Sequence, residues 1–119
     1  QAFKPLILAH GFPAVKLKCV RDQEGILGFI GMHEQKVEML FLRDRARAKG
    51  TGKMLLHYAI KVEKCYQVDV NEQNPQAVGF YQYCGFEVVK RSDLDDAGRP
   101  FPILHLQLSE QKRIAILQD

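Results

Sequence analysis

Between residues 15 and 42, apolar residues recur in three short runs separated by polar segments of only four or five residues, a pattern few folds accept. Val15, Leu17 and Cys19 alternate with Lys16 and Lys18, as a half-buried strand requires. Arg21-Asp22-Gln23-Glu24-Gly25 supplies a polar loop and the run 26–32 a second strand. His33-Glu34-Gln35-Lys36 makes another turn, and the run 37–42 a third strand. Connections this short join antiparallel neighbours, because a parallel pair needs a crossover of about a dozen residues or more. The expectation is an antiparallel meander.

The period then changes. Met54, Leu55, Tyr58, Ala59 and Val62 fall on one face of a helix expected from about Gly50. Tyr66, Val68 and Val70 alternate with Gln67 and Asp69 in a strand that, following a helix, should run parallel to the third. Asn74-Pro75 opens a second helix, with Asn as cap and Pro at the first helical position. Ala77, Phe80, Tyr81 and Cys84 form its inner face, and Gly85 its stop. Runs 86–90 and 103–108 are further strands, joined by the polar loop 92–100. The opening 2–8, ahead of the turn signal Gly11-Phe12-Pro13, reads as a helix end or an edge segment. The segment 109–119 reads as a tail or, through Arg113-Ile114-Ala115-Ile116-Leu117, as an edge strand. The expected fold is a single domain over residues 1–119, α/β of the α+β type, with a mixed, mostly antiparallel twisted sheet and flanking helices.

Composition narrows the function. With 119 residues, 46% of them hydrophobic, the chain supports one modest core. No apolar run reaches the roughly 20 residues of a membrane helix, and the opening residues, which begin at Gln1, do not spell a secretory signal. Cys19, Cys65 and Cys84 are an odd number without close pairing, which fits a reducing cytoplasm. His10, His33, His57 and His105 are scattered, without CxxC, HxH or HExxH spacing, so no metal is expected. The net charge of +3 favours a phosphorylated small ligand over a nucleic-acid groove, and the short apolar runs argue against a membrane partner. Only the segment 43–53 concentrates it, with Arg43, Arg45, Arg47, Lys49 and Lys53 against Asp44.

That cluster surrounds Arg47-Ala48-Lys49-Gly50-Thr51-Gly52, placed between a strand and a helix. Free backbone N–H groups and the helix dipole both favour an anion at such a junction, and glycines let a phosphate approach the main chain. Two nucleotide motifs fail on spelling. A Walker A loop needs Ser or Thr where Met54 follows Lys53, and the dinucleotide motif needs a third glycine where Leu55 stands. Two glycines alone equally describe an ordinary basic turn.

The segment 74–86, Asn-Pro-Gln-Ala-Val-Gly-Phe-Tyr-Gln-Tyr-Cys-Gly-Phe, supplies the second half of a pattern. Together with residues 47–52 it resembles the GNAT N-acetyltransferase superfamily, whose R/QxxGxG/A and NxxAxxFYxxxGF motifs both occur here, in order. The resemblance runs from about Val15 to Leu108. It is closest to small bacterial members of the family through 70–74, Arg91-Ser92, Asp95-Asp96, Gly98, Pro100, Pro102 and Leu104-His105-Leu106.

The resemblance implies an acyl-CoA N-acyltransferase fold. It implies an enzyme that moves an acetyl group from acetyl-CoA, its cosubstrate, to a primary amine of a small molecule or peptide. The main chain of Leu40, Phe41 and Leu42 would pair with the pantetheine amides. Arg47, Ala48, Lys49, Gly50, Thr51 and Gly52 would give N–H groups to the pyrophosphate, and Asn74 would touch the CoA arm. Tyr81 matches the general acid that protonates the leaving thiolate, although such a residue on an amphipathic helix otherwise reads as a core aromatic. For the base, Asp69 stands where some relatives keep a carboxylate. Glu38, sharing a face with Leu40 and Leu42 by period two, is the other candidate, and a water chain is a third. His105 reads as a pocket residue or a satisfied structural histidine, and Asp93, Asp95 and Asp96 as a lure for a cation or a hydrated turn.

Measured against the family the chain is N-terminally shortened, with room before Val15 for only a short helix. Either the stretch 113–117 takes the place of the missing first strand at the sheet edge, or a partner subunit does, as in a homodimer. The shortened front also keeps open a non-catalytic acyl-CoA-binding or assembly module. A basic nucleic-acid-binding domain is less favoured, because no aromatic residues interleave the cations.

Overall fold

The alternation over residues 15–42 builds the expected meander. The computed structural model describes residues 3–7, 14–47 and 49–118, with residues 3–7 and 14 as backbone only. Gly11-Phe12-Pro13, and Ala48 of the glycine-rich loop, lie outside the described residues. The chain divides into two units, Gln1–Cys65 and Tyr66–Asp119.

In the first unit β1 (Phe3–Ile7), β2 (Ala14–Asp22), β3 (Gly25–His33) and β4 (Lys36–Leu42) pair antiparallel in chain order. The opening segment is therefore a strand, running from Phe3 opposite Lys18 to Ile7 opposite Ala14. Pro5 lacks an N–H, which an outer strand tolerates. A 3-10 turn at Asp44–Ala46 leads from β4 toward α1 (Thr51–Lys61), which packs on β2, β3 and β4. The buried stripe of α1 is Leu55, Leu56, Ala59 and Ile60, while Met54 and Val62 are exposed. The expected inner face is thus rotated: residues 54, 58 and 62 form its flank, and the i, i+1, i+4, i+5 row is the buried one, on a helix that packs on β2, β3 and β4.

In the second unit β7 (Ile103–Leu108) is central and pairs antiparallel with both β5 (Gln67–Asn71) and β6 (Phe86–Ser92). α2 (Pro75–Tyr83) connects β5 to β6 and packs on both. Tyr81 and Cys84 are buried, as the sequence pattern requires.

The segment expected as a tail or edge strand is instead a helix, α3 (Glu110–Leu117). The Ser109 hydroxyl accepts from the Lys112 amide as its N-cap, Glu110 suits the first turn, and Ile116 is buried. A capped turn satisfies amides that an edge strand would leave open. The stretch 113–117 therefore does not stand in for a first strand.

Candidate functional site

Two cations just ahead of the glycine-rich loop are tied to the β2–β3 hairpin. Arg43 donates its main-chain N–H to the Leu27 carbonyl at 2.8 Å and its Nε to the Ile26 carbonyl at 2.7 Å. Arg45 reaches Asp22 on β2 at 2.8 Å. These two arginines serve the fold, a role that sequence spacing did not reveal because it depends on the β2–β3 loop lying beside the 3-10 turn. Arg47 pairs with exposed Asp44 at 3.3 Å, and Lys49 is exposed.

Gly50 adopts φ 80° and ψ 3°, a left-handed conformation that places it as N-cap of α1. An L side chain there would cost about 1–2 kcal/mol. The amides of Arg47 and Lys49 close turns onto the carbonyls of Asp44 and Ala46. Those of Gly50, Thr51 and Gly52 donate to no other described residue. They open the first turn of an eleven-residue helix, where the dipole adds partial positive charge. Thr51 and Gly52 are buried, so α1 is seated firmly at this end.

On β4, Leu40 and Leu42 are half-buried and Phe41 is exposed, stacking on Phe29 at 5.4 Å between ring centroids. Gly31 pairs with Met39 and Met32 with Val37, so the ladder skips Glu38. This bulge interrupts the period-two argument that put Glu38 on the side of Leu40 and Leu42. Glu38 is exposed. Bulges re-aim a side chain in this way, and no local sequence signal announces this one.

Asn74 caps α2, its Oδ1 accepting from the Ala77 amide at 3.2 Å, with Pro75 in the first turn. Tyr81 sits seven residues on, buried edge-on against Phe80 and Phe86 at 5.3 and 5.8 Å. Burial, with a smaller contribution from Cys84, pushes its phenol up to about 12. Its hydroxyl bonds to no other described residue.

Asp69 faces His105 across the β5–β7 ladder, Oδ1 to Nδ1 2.8 Å, and His105 Nε2 lies 2.7 Å from Ser92 Oγ. His105 is thus satisfied at both nitrogens; Ser92 was not singled out from sequence, since its approach depends on strand register. In the loop 93–102, Asp95 accepts from the Ala97 and Arg99 amides and from Arg99 Nε, and Asp93 pairs with Arg91. Those bonds, the Arg99 amide first, hold the Asp95 carboxyl below the usual range. This is the turn reading of the acidic loop. Among the described residues no His, Cys, Asp and Glu cluster is placed to hold a metal ion, and no helix is long and apolar enough to cross a membrane.

The fold is that of the acyl-CoA N-acyltransferases, shared with solved structures at TM-scores near 0.7. The chain belongs to the GNAT acetyltransferase family, whose acetyltransferase (GNAT) domain profile matches residues 10–102. It is similar to the peptidyl-lysine N-acetyltransferase YjaB of Salmonella typhimurium, 42% identical over 87 residues, 73% of this chain and 60% of the relative. YjaB of Escherichia coli is 39% identical over 87 residues, 73% of this chain and 59% of the relative. The solution structure of its apo-form superposes with a TM-score of 0.68 at 37% identity, covering 79% of this chain and 62% of that one. A Bacillus anthracis acetyltransferase solved in complex with acetyl coenzyme A gives 0.69 at 20% identity, covering 82% and 64%, a likeness of fold alone. The chain spans about 60% of the length of the curated relatives it matches.

Proposed function

We propose that this chain is an acetyl-CoA-dependent N-acetyltransferase acting on the primary amine of a lysine side chain in a peptide. The observation that carries this is the left-handed Gly50 cap, with the Gly50, Thr51 and Gly52 amides opening α1, in a chain whose second unit offers a buried Tyr81 on a capped helix. The pyrophosphate of acetyl-CoA binds those amides, aided by Arg47 and Lys49. The main chain of Leu40, Phe41 and Leu42 takes the pantetheine amides as an added strand would, and Asn74 meets the CoA arm.

Tyr81 is the general acid. The phenol holds its proton at neutral pH, and burial raises it further, to about 12. The amine must lose a proton before its nitrogen attacks, and Asp69 and Glu38 are the carboxylates available to promote that loss. Relatives named for peptidyl-lysine acetylation favour a peptide acceptor over a small amine. The three free thiols suit a reducing cytoplasm.

The test is CoA release from acetyl-CoA with a lysine peptide, a polyamine and an amino acid amide as acceptors. Turnover on the peptide that falls sharply in Tyr81→Phe is expected. Tight acetyl-CoA binding without turnover on any amine would sink the enzyme reading and leave a non-catalytic acyl-CoA-binding module.

A further inference from the structure

Strand register brings Asp69, His105 and Ser92 into one line across three strands. Asp69 stands directly opposite His105, and both are about a quarter exposed, between core and water. On β6 the ladder passes from Val88 opposite Leu106 to Lys90 opposite His105, skipping Val89. That bulge has a geometric effect. Without it Arg91 would share the face of His105; with it Ser92 does, and its Oγ reaches Nε2 at 2.7 Å. The opposite face carries Val68, Val70 and Leu106, all buried.

Hydrogen-bond chemistry fixes the direction of the line. A carboxylate only accepts, so the Nδ1 that faces Asp69 carries the hydrogen. In the neutral ring Nε2 then holds a lone pair and accepts from the Ser92 hydroxyl. Charged groups that the flanking strands turn to this face are Asp69 from β5, and Glu87 and Lys90 from β6. Arg91 is occupied by Glu72 and Asp93.

We propose that Ser92, His105 and Asp69 form a proton relay that deprotonates the acceptor amine, with Ser92 Oγ meeting the ammonium, His105 Nε2 taking the proton and Asp69 positioning the ring. The proposal rests on the acetyltransferase reading and replaces Asp69 as direct base. One ammonium N–H bond breaks as its proton passes to Ser92 Oγ, while the Ser92 proton passes to Nε2. The freed electron pair forms the bond to the thioester carbon, and the carbon–sulfur bond breaks. The nitrogen loses a second proton to water during this collapse, and Tyr81, having protonated the thiolate, regains one from water. The imidazolium, held by Asp69, then releases the net proton to water.

Two measurements on the whole chain test this. Long-range proton–nitrogen NMR, with His105 assigned through His105→Gln, should show the Nδ1–H tautomer in the neutral ring. In Asp69→Asn the amide can turn its NH2 toward Nδ1 and force the Nε2–H tautomer. CoA release with a lysine peptide should fall about 10²–10⁴-fold in kcat for His105→Gln and Asp69→Asn. KM for acetyl-CoA should be unchanged and the fall in rate toward low pH flattened, neither of which a purely structural role would produce. Ser92→Ala, which removes one oxygen from a half-exposed site, should show the same pattern without loss of folding. An Nε2–H ring in the wild type, or kcat retained in His105→Gln, would overturn the relay. So would an acetylated Ser92 after exposure to p-nitrophenyl acetate, which would make the serine a nucleophile. A wild-type chain that turns over no amine would sink the acetyltransferase reading instead, and the ring tautomer would still decide whether the relay is built.

Discussion

A Cβ on Gly28 would stand 2.7 Å from the carbonyl oxygen of Phe41 and 2.9 Å from Cδ2 of Leu42. Gly28 on β3 is what allows β4 to close on it at the residues proposed to receive pantetheine. Because the nearest atom is backbone, Gly28→Ala must displace β4. We expect a loss of about 1–3 kcal/mol in denaturant unfolding and weaker acetyl-CoA binding by calorimetry. Gly79→Ala is the contrast: it lies inside α2 with nothing within 4 Å of its Cβ, and should gain up to about 1 kcal/mol.

At Gly50 the constraint is conformational, since its φ of +80° accompanies open space around a would-be Cβ. Gly50→Ala should cost about 1–2 kcal/mol. Gly50→Asn should recover most of that, because Asn tolerates the left-handed region. If the pyrophosphate lies on the neighbouring amides, both variants should still bind CoA more weakly than the wild type. Equal affinity in Gly50→Asn would remove the loop from the donor site.

Tyr81→Phe separates chemistry from stability. Turnover should fall about 10²–10⁴-fold with acetyl-CoA binding little changed. The sign of the pH effect follows from a phenol raised from 10.0 to about 12. Below pH 10 it is protonated in both folded and unfolded chains and contributes no pH dependence. Between pH 10 and about 12 the unfolded chain ionises first, so the wild type loses stability there as pH rises. Tyr81→Phe should lose less across that window, as read by urea unfolding. Cys65, raised to about 12 by burial, loses stability in an overlapping alkaline window and is common to both proteins.

The elements most legible in the sequence were those whose periodicity or punctuation is local. The meander follows from alternation with short turns, and α2 from Asn74, Pro75 and Gly85. What escaped depends on register between distant segments. The skip at Glu38 is set by how β3 and β4 match across a ladder. The line from Asp69 to Ser92 needs two ladders and the Val89 bulge. The inner face of α1 is not legible from sequence because Met54 and Val62 are as apolar as Leu56 and Ile60, and only packing decides which row is buried. The loop 47–52 was legible as an anion-ready turn, but not the division of labour in which Arg43 and Arg45, just ahead of it, are tied to the β2–β3 hairpin.

The C-terminal segment offers a test of helix against edge strand. Ile114 and Ile116 would share one face of a strand, by period two. In α3 they differ: Ile116 is 8% exposed and Ile114 46%. The Ser109 amide donates to the Gly85 carbonyl at 3.0 Å, and the Lys112 stem lies against Gly85, so α3 docks where α2 ends. Ile116→Ala should therefore cost about 2–4 kcal/mol, with Ile114→Ala close to neutral. Ser109→Ala should cost about 1 kcal/mol through the lost cap. Equal losses at Ile114 and Ile116, measured by denaturant unfolding, would favour the strand.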